Sequence, residues 1–316
     1  VLVSRRHADR RFPVKGDRVL CIVGPTASGK SALADELACR LATSVISVDA
    51  MQVYRGMDIG TAKTPVSERR CPLLMVDVAD IGDAYSAQLF QEEARSCIDS
   101  LCSEGKLPIL CGGTGLYLDA TIDDMVFPKG DTSSETRKRY EKMAEDEGNE
   151  AVYALLESRD PASAELIHPN NVRRVIRALE LLDEGKSYAV QHAGLHERAP
   201  WYNASIWGIA MDRERLYRRI SVRVDQMLQD GLVDEVKGLV AAGVRDTLTA
   251  MQAIGYKEIV DCLEGSCTLP EATEEIKKRT RRYAKRQLSW FKRDGRVKWL
   301  DLDQMDTNGA ADMIME

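Results

Sequence analysis

The string Gly24-Pro25-Thr26-Ala27-Ser28-Gly29-Lys30-Ser31 sets two glycines, a lysine and a hydroxyl at the spacing G-x-x-x-x-G-K-S, directly after the apolar run Val19 to Val23. Such a string holds a diphosphate. Gly24 and Gly29 let the backbone turn its N–H groups inward, and the turn through Thr26, Ala27 and Ser28 belongs to the same cradle. Lys30 adds a mobile positive charge, and the Ser31 hydroxyl is placed to ligate magnesium. The helix-favouring run Ala32 to Leu41 completes the strand, loop and helix that the motif requires. Which diphosphate is held, and whether phosphoryl is the group transferred, stays open at this point.

The second chemical position is Asp49, a carboxylate closing the β-branched run Val45 to Val48. At the mouth of the cradle it is a general base for a nucleophile approaching the bound diphosphate, or, in the plainer reading, a turn or N-cap aspartate. The string Gln52 to Lys63 behind it is too rich in glycine and charge for a buried connection, and Gly112-Gly113-Thr114-Gly115 forms a second glycine-rich loop after a later apolar run. Two loops and one acid then converge on one crevice.

The elements that position these groups follow from periodicity. Short β-type runs at Val45 to Val48, Leu73 to Val78 and Leu107 to Cys111, with helical spacing from Ala87 to Cys102 between the last two, predict an α/β fold: a doubly wound parallel sheet whose ligands collect at the strands' carboxyl ends. From 119 to 203 the chain turns charged and helical, with capping signals at Thr132-Ser133-Ser134-Glu135 and Asp160-Pro161, and reads as a helical insertion. Ser205 to Met211 returns to the sheet, so the P-loop core comprises 17–118 and 204–316. Helices are expected from Asp212 to Asp230, Val233 to Ala242, Ile254 to Leu263 and Pro270 to Arg293, and a last strand from Val297 to Leu300. Residues 1–16 are arginine-rich without apolar periodicity and read as a flexible arm, with a targeting peptide as the alternative.

No run approaches the ~20 apolar residues of a membrane span. Eight cysteines without a Cys-x-x-Cys pair read as free thiols and suit a reducing cytoplasm. The net charge is −6, yet Lys277 to Lys298 holds eleven basic residues against the single acid Asp294. With Tyr283, Trp290 and Phe291 interleaved, that pole suits a polyanion with unstacked bases; the alternative is a solvated amphipathic helix.

The strings GPTASGKS, SVDAMQVYRGMDIGTAK, AYSAQLF, GGTGLYL, IHPNNVRRVIRALEL, AIGYKEI and AKRQLSWFKR, in this order between Val19 and Trp299, resemble those of the tRNA dimethylallyltransferases of bacterial type. The resemblance implies transfer of a dimethylallyl group from dimethylallyl diphosphate to the exocyclic amine of adenosine next to the anticodon, with the P-loop holding pyrophosphate. It implies Asp49 as general base, Thr114 beside the adenine and the reacting carbon, Arg223 on the leaving pyrophosphate, Arg219 on the diphosphate, and Lys30 and Ser31 on diphosphate and magnesium. The implied tRNA contacts are Ala50, Met51 and Gln52, then Arg173, Arg174 and Arg177, then Gln252, Gly255 and Tyr256, and finally Lys285, Arg286 and Gln287. The insertion corresponds to the anticodon-stem region, and the enzyme is expected to be a cytoplasmic monomer. Ala50 stands where the family usually has serine. An adenylate dimethylallyltransferase shares cradle and base but needs neither insertion nor basic pole, and a P-loop small-molecule kinase would use Asp49 on a hydroxyl. A GTP switch finds no base-reading N-K-x-D string.

Overall fold

The computed structural model describes residues 18–127, 134–194, 199–243 and 253–316. The expected arm at 1–16, the cap residues Thr132 and Ser133, and Gln252 lie outside them. The larger of two compact units comprises residues up to Asp124 together with Pro200–Glu316. It is built on a six-stranded, all-parallel sheet of β1 (Arg18–Val23), β2 (Val45–Val48), β3 (Leu73–Leu74), β4 (Ile109–Gly112), β5 (Asn203–Ala210) and β6 (Lys298–Asp301). The order across the sheet is β3-β2-β4-β1-β5-β6.

Alternation along β1 explains why both faces are covered. Val19, Cys21 and Val23 enter one core and Leu20 and Ile22 the other, because successive side chains point to opposite faces. The second core is closed by α1 (Lys30–Leu41) and α13 (Thr307–Met315), the first in large part by α2 (Ala87–Ser103) and α3 (Gly115–Ile122). Around the first core also lie α9 (Arg213–Gln229), α10 (Leu232–Ala241), α11 (Tyr256–Leu263) and α12 (Leu269–Phe291).

The chain passes from β1 outward to β2 and β3 and then returns to place β4 beside β1. The crevice therefore opens at the carboxyl ends of β1, β2 and β4, where the strand order reverses. Gly112 is the closing residue of β4, and a Cβ there would lie 2.0 Å from the Val48 carbonyl oxygen. Backbone cannot yield as a side chain can, so Gly112→Ala is expected to destabilise the fold by about 1–3 kcal/mol or more, read as a lowered midpoint in urea unfolding.

Two expectations are corrected. The strand expected from Leu73 to Val78 stops at Leu74, since Met75 and Asp77 adopt positive φ (60° and 56°). The chain then leaves the sheet to lie against the Gln52 loop, with Asp77 N–H donating to Gln52 O and Val78 N–H to Val53 O. The last strand lies one residue further on than expected, at Lys298–Asp301.

The smaller unit is Met125–Ala199, narrower than 119–203 because residues 115–122 form α3 and 203–210 form β5. It is helical: α4 (Glu135–Glu147), α5 (Asn149–Arg159), α6 (Pro161–Glu165), α7 (Val172–Asp183) and α8 (Tyr188–Gly194). Ser134 caps α4 by accepting from Arg137 N–H, and Asp160 caps α6 with Pro161 in its first turn. Its core is formed by Tyr140, Val152, Leu156, Val175 and Leu179. Among the described residues no helix is long and apolar enough to cross a membrane.

Candidate active site

Gly29 stands at φ 101° as the N-cap of α1, a left-handed turn that aims the first turn of the helix, starting at Lys30 and Ser31, into the crevice. Aligned peptide dipoles make that end positive, so the cradle favours an anion before any side chain is counted. Lys30 Nζ donates to the Pro25 carbonyl across the loop at 3.2 Å. Burial holds the Lys30 ammonium below the usual lysine range, partly offset by Asp49. Burial likewise pushes the Cys111 thiol up to about 11, so a neutral thiol faces Lys30. Within the turn, Ser28 Oγ is the one buried side-chain polar atom without a partner among the described residues.

Asp49 follows β2 directly. Its Oδ1 accepts from the N–H groups of Met51 (2.9 Å) and Gln52 (3.3 Å), so the turn reading is correct for that oxygen. Oδ2 has no hydrogen-bond partner among the described residues and stays available for a proton. Thr114, the N-cap of α3, accepts from Ala50 N–H at 3.1 Å, which fixes the second glycine loop to the Asp49 turn.

From α9, Arg223 reaches the same crevice, and no carboxylate pairs with it among the described residues. Burial, together with the neighbouring Arg219, presses its guanidinium below the usual arginine range, yet it remains a cation. Arg219 donates from Nε to the Ala27 carbonyl at 2.7 Å and so braces the P-loop from outside. The crevice encloses about 510 Å³, with Lys30, Ser31, Asp49, Arg223 and Arg286 among its polar walls and Ile220, Val224, Met227 and Ile276 among its apolar ones. A second hollow of about 980 Å³, with Arg218 and Arg219 in its wall, shares Arg223 with it.

Cleft residues thus include Ala50, Met51, Gln52, Gly255, Tyr256, Arg286 and Gln287 of the expected tRNA contacts. Three of these have their polar groups engaged within the protein. The Gln52 carboxamide accepts from Ser47 Oγ and donates to Thr61 O. Tyr256 is 2 % exposed, and its hydroxyl donates to Glu235 at 2.6 Å. Gln287 is 4 % exposed and doubly hydrogen-bonded to backbone. These side chains shape the wall of the cleft, whereas Arg286 and Lys285 are exposed. Arg173 and Arg174, exposed, and Arg177, paired with Glu180, lie on α7 of the smaller unit.

Glu235 on α10 supports the cleft wall and is a residue that sequence reasoning misses. Its carboxylate accepts from the N–H groups of Asp58, Ile59 and Gly60, holding the loop that carries Thr61 against the cleft. No local pattern in Leu-Val-Asp-Glu-Val marks it, since its partners lie some 175 residues earlier. Tyr283, by sequence an aromatic of the basic pole or of the core, lines the cleft, and burial pushes its phenol up to about 12.

The basic pole also divides. Lys277, Lys278, Arg279 and Arg296 pair with Asp225, Glu275, Glu258 and Asp123 respectively. The outward charge therefore comes from the later part of α12 and the residues just beyond its end.

For magnesium, the donor set is one hydroxyl, Ser31, with the Asp49 carboxylate facing the same cleft. Among the described residues no three potential ligand side chains of His, Cys, Asp or Glu cluster. That fits a small divalent ion that arrives bound to phosphate oxygens, as magnesium does, rather than one caged by protein.

A family model described as IPP transferase matches residues 52–294, and one described as isopentenyl transferase matches 17–70. The tRNA dimethylallyltransferase of Bacillus velezensis is 45% identical over 289 residues, covering 91% of this chain and 92% of that protein. That of Bacillus subtilis is 44% identical over 285 residues, covering 90% of each. Among solved structures, the tRNA isopentenylpyrophosphate transferase of Staphylococcus epidermidis aligns with TM-score 0.69 at 40% identity, over 94% of this chain and 97% of that one. A eukaryotic dimethylallyltransferase acting on tRNA aligns with TM-score 0.79 at 30% identity, over 94% and 78%. Matched across nine-tenths of its length at this identity, the chain belongs to the tRNA dimethylallyltransferase family.

Proposed function

We propose that this chain transfers a dimethylallyl group from dimethylallyl diphosphate to the exocyclic amine of the adenosine adjacent to the anticodon in tRNA, releasing pyrophosphate. The observation that carries the reading is the meeting, in one cleft, of a positive helix end, Arg223 and the Asp49 carboxylate, where among the described residues Arg223 has no carboxylate partner and one Asp49 oxygen no hydrogen bond. A cradle of this kind with no acceptor-side base would only hold the donor.

The bond from the allylic carbon to the diphosphate oxygen breaks as that carbon bonds to the amine nitrogen. The electron pair leaves with pyrophosphate, where charge grows, and Lys30, Arg223 and the α1 N–H groups stabilise it more in the transition state than in the ground state. Asp49 takes the proton that the amine sheds, through the oxygen not engaged in its turn. Thr114, held to that turn, sets the amine against the carbon. Ser31 would hold a magnesium ion, which would supply further neutralisation of the leaving group. The apolar side chains Ile220, Val224 and Met227 suit the prenyl tail and keep water from the allylic cation-like carbon.

The acceptor rests on the exposed cations of α12. Reversing charge at Lys285 and Arg286 together is expected to weaken tRNA binding and to flatten its dependence on salt. Removing one phosphate contact takes roughly 0.7–0.9 from the slope of log K against log salt, while donor affinity stays as it was. Filter binding of tRNA between low and moderate salt reads this directly. Incubation of the protein with unmodified tRNA and dimethylallyl diphosphate, followed by mass analysis of the nucleosides, tests the whole reading. Prenylated adenosine next to the anticodon is the expected product. Efficient prenylation of free AMP, with tRNA left untouched, would instead establish the adenylate enzyme.

A further inference from the structure

The geometry assigns Gln287 as a positioning residue: its carboxamide clips the donor loop to the acceptor-side loop and sets the distance between the two halves of the reaction. The assignment rests on the proposed prenyl transfer. Gln287 Oε1 accepts from the Thr26 N–H of the P-loop at 2.8 Å, and its Nε2 donates to the Gly113 carbonyl at 3.1 Å. Only one orientation of the amide satisfies both partners, an acceptor toward Thr26 and a donor toward Gly113, so the side chain is specified as well as filled in. The group is 4 % exposed, where leaving a backbone donor or acceptor unmet is costly.

Sequence spacing places the clip on one face of α12. Tyr283, Gln287 and Trp290 recur at helical intervals on that face, while Lys285, Arg286 and Ser289 are exposed. The contact with the second glycine loop is close at two points. A Cβ on Gly113 would come within 2.0 Å of Gln287 Nε2, and one on Gly115 within 2.2 Å of the Trp290 ring. Trp290 Nε1 further donates to Asp119 at 3.0 Å, anchoring α12 to α3 just beyond Thr114. The Thr26 N–H is thereby committed to α12 rather than to the anion, and the cradle must be made by the N–H groups after it. Two loops that bring opposite reactants are spanned by a single planar group from a third element. The pairing of Val23 with Gly112 fixes the roots of the two loops in the sheet, and the carboxamide ties them beyond it, at Thr26 and Gly113.

The test compares Gln287→Met, which keeps size and loses both bonds, with Gln287→Glu, which retains an acceptor for Thr26 N–H and loses the donor to Gly113. Three quantities are read on folded protein: single-turnover prenylation at saturating donor and tRNA, the Kd of inorganic pyrophosphate, and the Kd of tRNA. Misplacement of reacting groups by about 1 Å costs up to ~10²-fold in rate, so Gln287→Met is expected to lose roughly 10–100-fold in the saturated rate, with both dissociation constants within about threefold. Gln287→Glu should fall between it and the wild type.

A thermal melt on each variant separates a folding defect, which lowers the midpoint and leaves the rate per folded molecule unchanged; that result overturns the assignment. So does a large rise in the tRNA Kd with the saturated rate intact, which would make Gln287 a tRNA contact. Failure of the functional reading is distinct, because wild-type protein would then leave tRNA unmodified.

Discussion

Asp49→Ala is expected to lower the single-turnover rate of prenyl transfer by about 10²–10⁴-fold while the prenyl diphosphate binds nearly as before. The carboxylate lies off the cradle, and its proposed work is on the acceptor's proton. Because Oδ1 also accepts from Met51 and Gln52 N–H, alanine removes a turn bond together with a base. Asp49→Asn separates the two. Its amide oxygen still accepts from those N–H groups, so the turn stays, yet it cannot take a proton, and the rate is expected to be as low as with alanine. Rapid-quench measurement at saturating tRNA and donor reads the rate, and isothermal titration reads the donor. An asparagine variant with more than about a tenth of the wild-type rate would remove Asp49 from the base role and leave it as a turn residue.

Arg223→Ala is expected to cost about 10²–10³-fold in the same rate, the common loss for one electrostatic contact to a developing charge. Lys30→Ala and Ser31→Ala act on the same leaving group and belong to the same range. Arg223 offers the sharper experiment because it is desolvated beside Arg219 without a carboxylate partner among the described residues. Its removal orphans no acid, so the thermal midpoint of the alanine variant should stay level or rise even as activity collapses. A lower midpoint with unchanged turnover would mark Arg223 as a structural residue.

Much of this site is legible in one dimension because its parts are local. A P-loop is a strand, a turn with glycines where the backbone must reverse, and a helix end, and all three lie between Val19 and Leu41. Asp49 at the close of β2 and Thr114 after β4 are legible in the same way, because a parallel sheet brings the carboxyl ends of its strands to one edge. That β1 is covered on both faces is likewise legible, because the run Val19 to Val23 is apolar throughout.

What local pattern cannot show is which side chains spend their hydrogen bonds on the protein's own backbone. Gln52, Tyr256 and Gln287 are polar residues in strings rich in family character, and by type alone each suits a tRNA contact. In the fold Tyr256 and Gln287 meet a helix or loops distant in sequence, and burial makes those internal bonds obligatory, while Gln52 is tied to Ser47 and Thr61 within its own stretch. Glu235 is the converse case, a helix-face acid by pattern that three backbone N–H groups from the Asp58 loop turn into a clamp. The strand cut short at Leu74 has the same cause, since Asp77 is drawn to Lys63 and its N–H to Gln52 O.

The basic pole is visible as composition, but its division into paired and outward-facing charge depends on which acids the fold delivers to Lys277, Arg279 and Arg296. The sequence by itself thus determined the P-loop, the sheet and the acid at its edge, all products of short-range geometry. Tertiary structure alone decided which polar groups face the cleft and which are consumed in building it, because a buried donor or acceptor must find a partner wherever in the chain that partner lies.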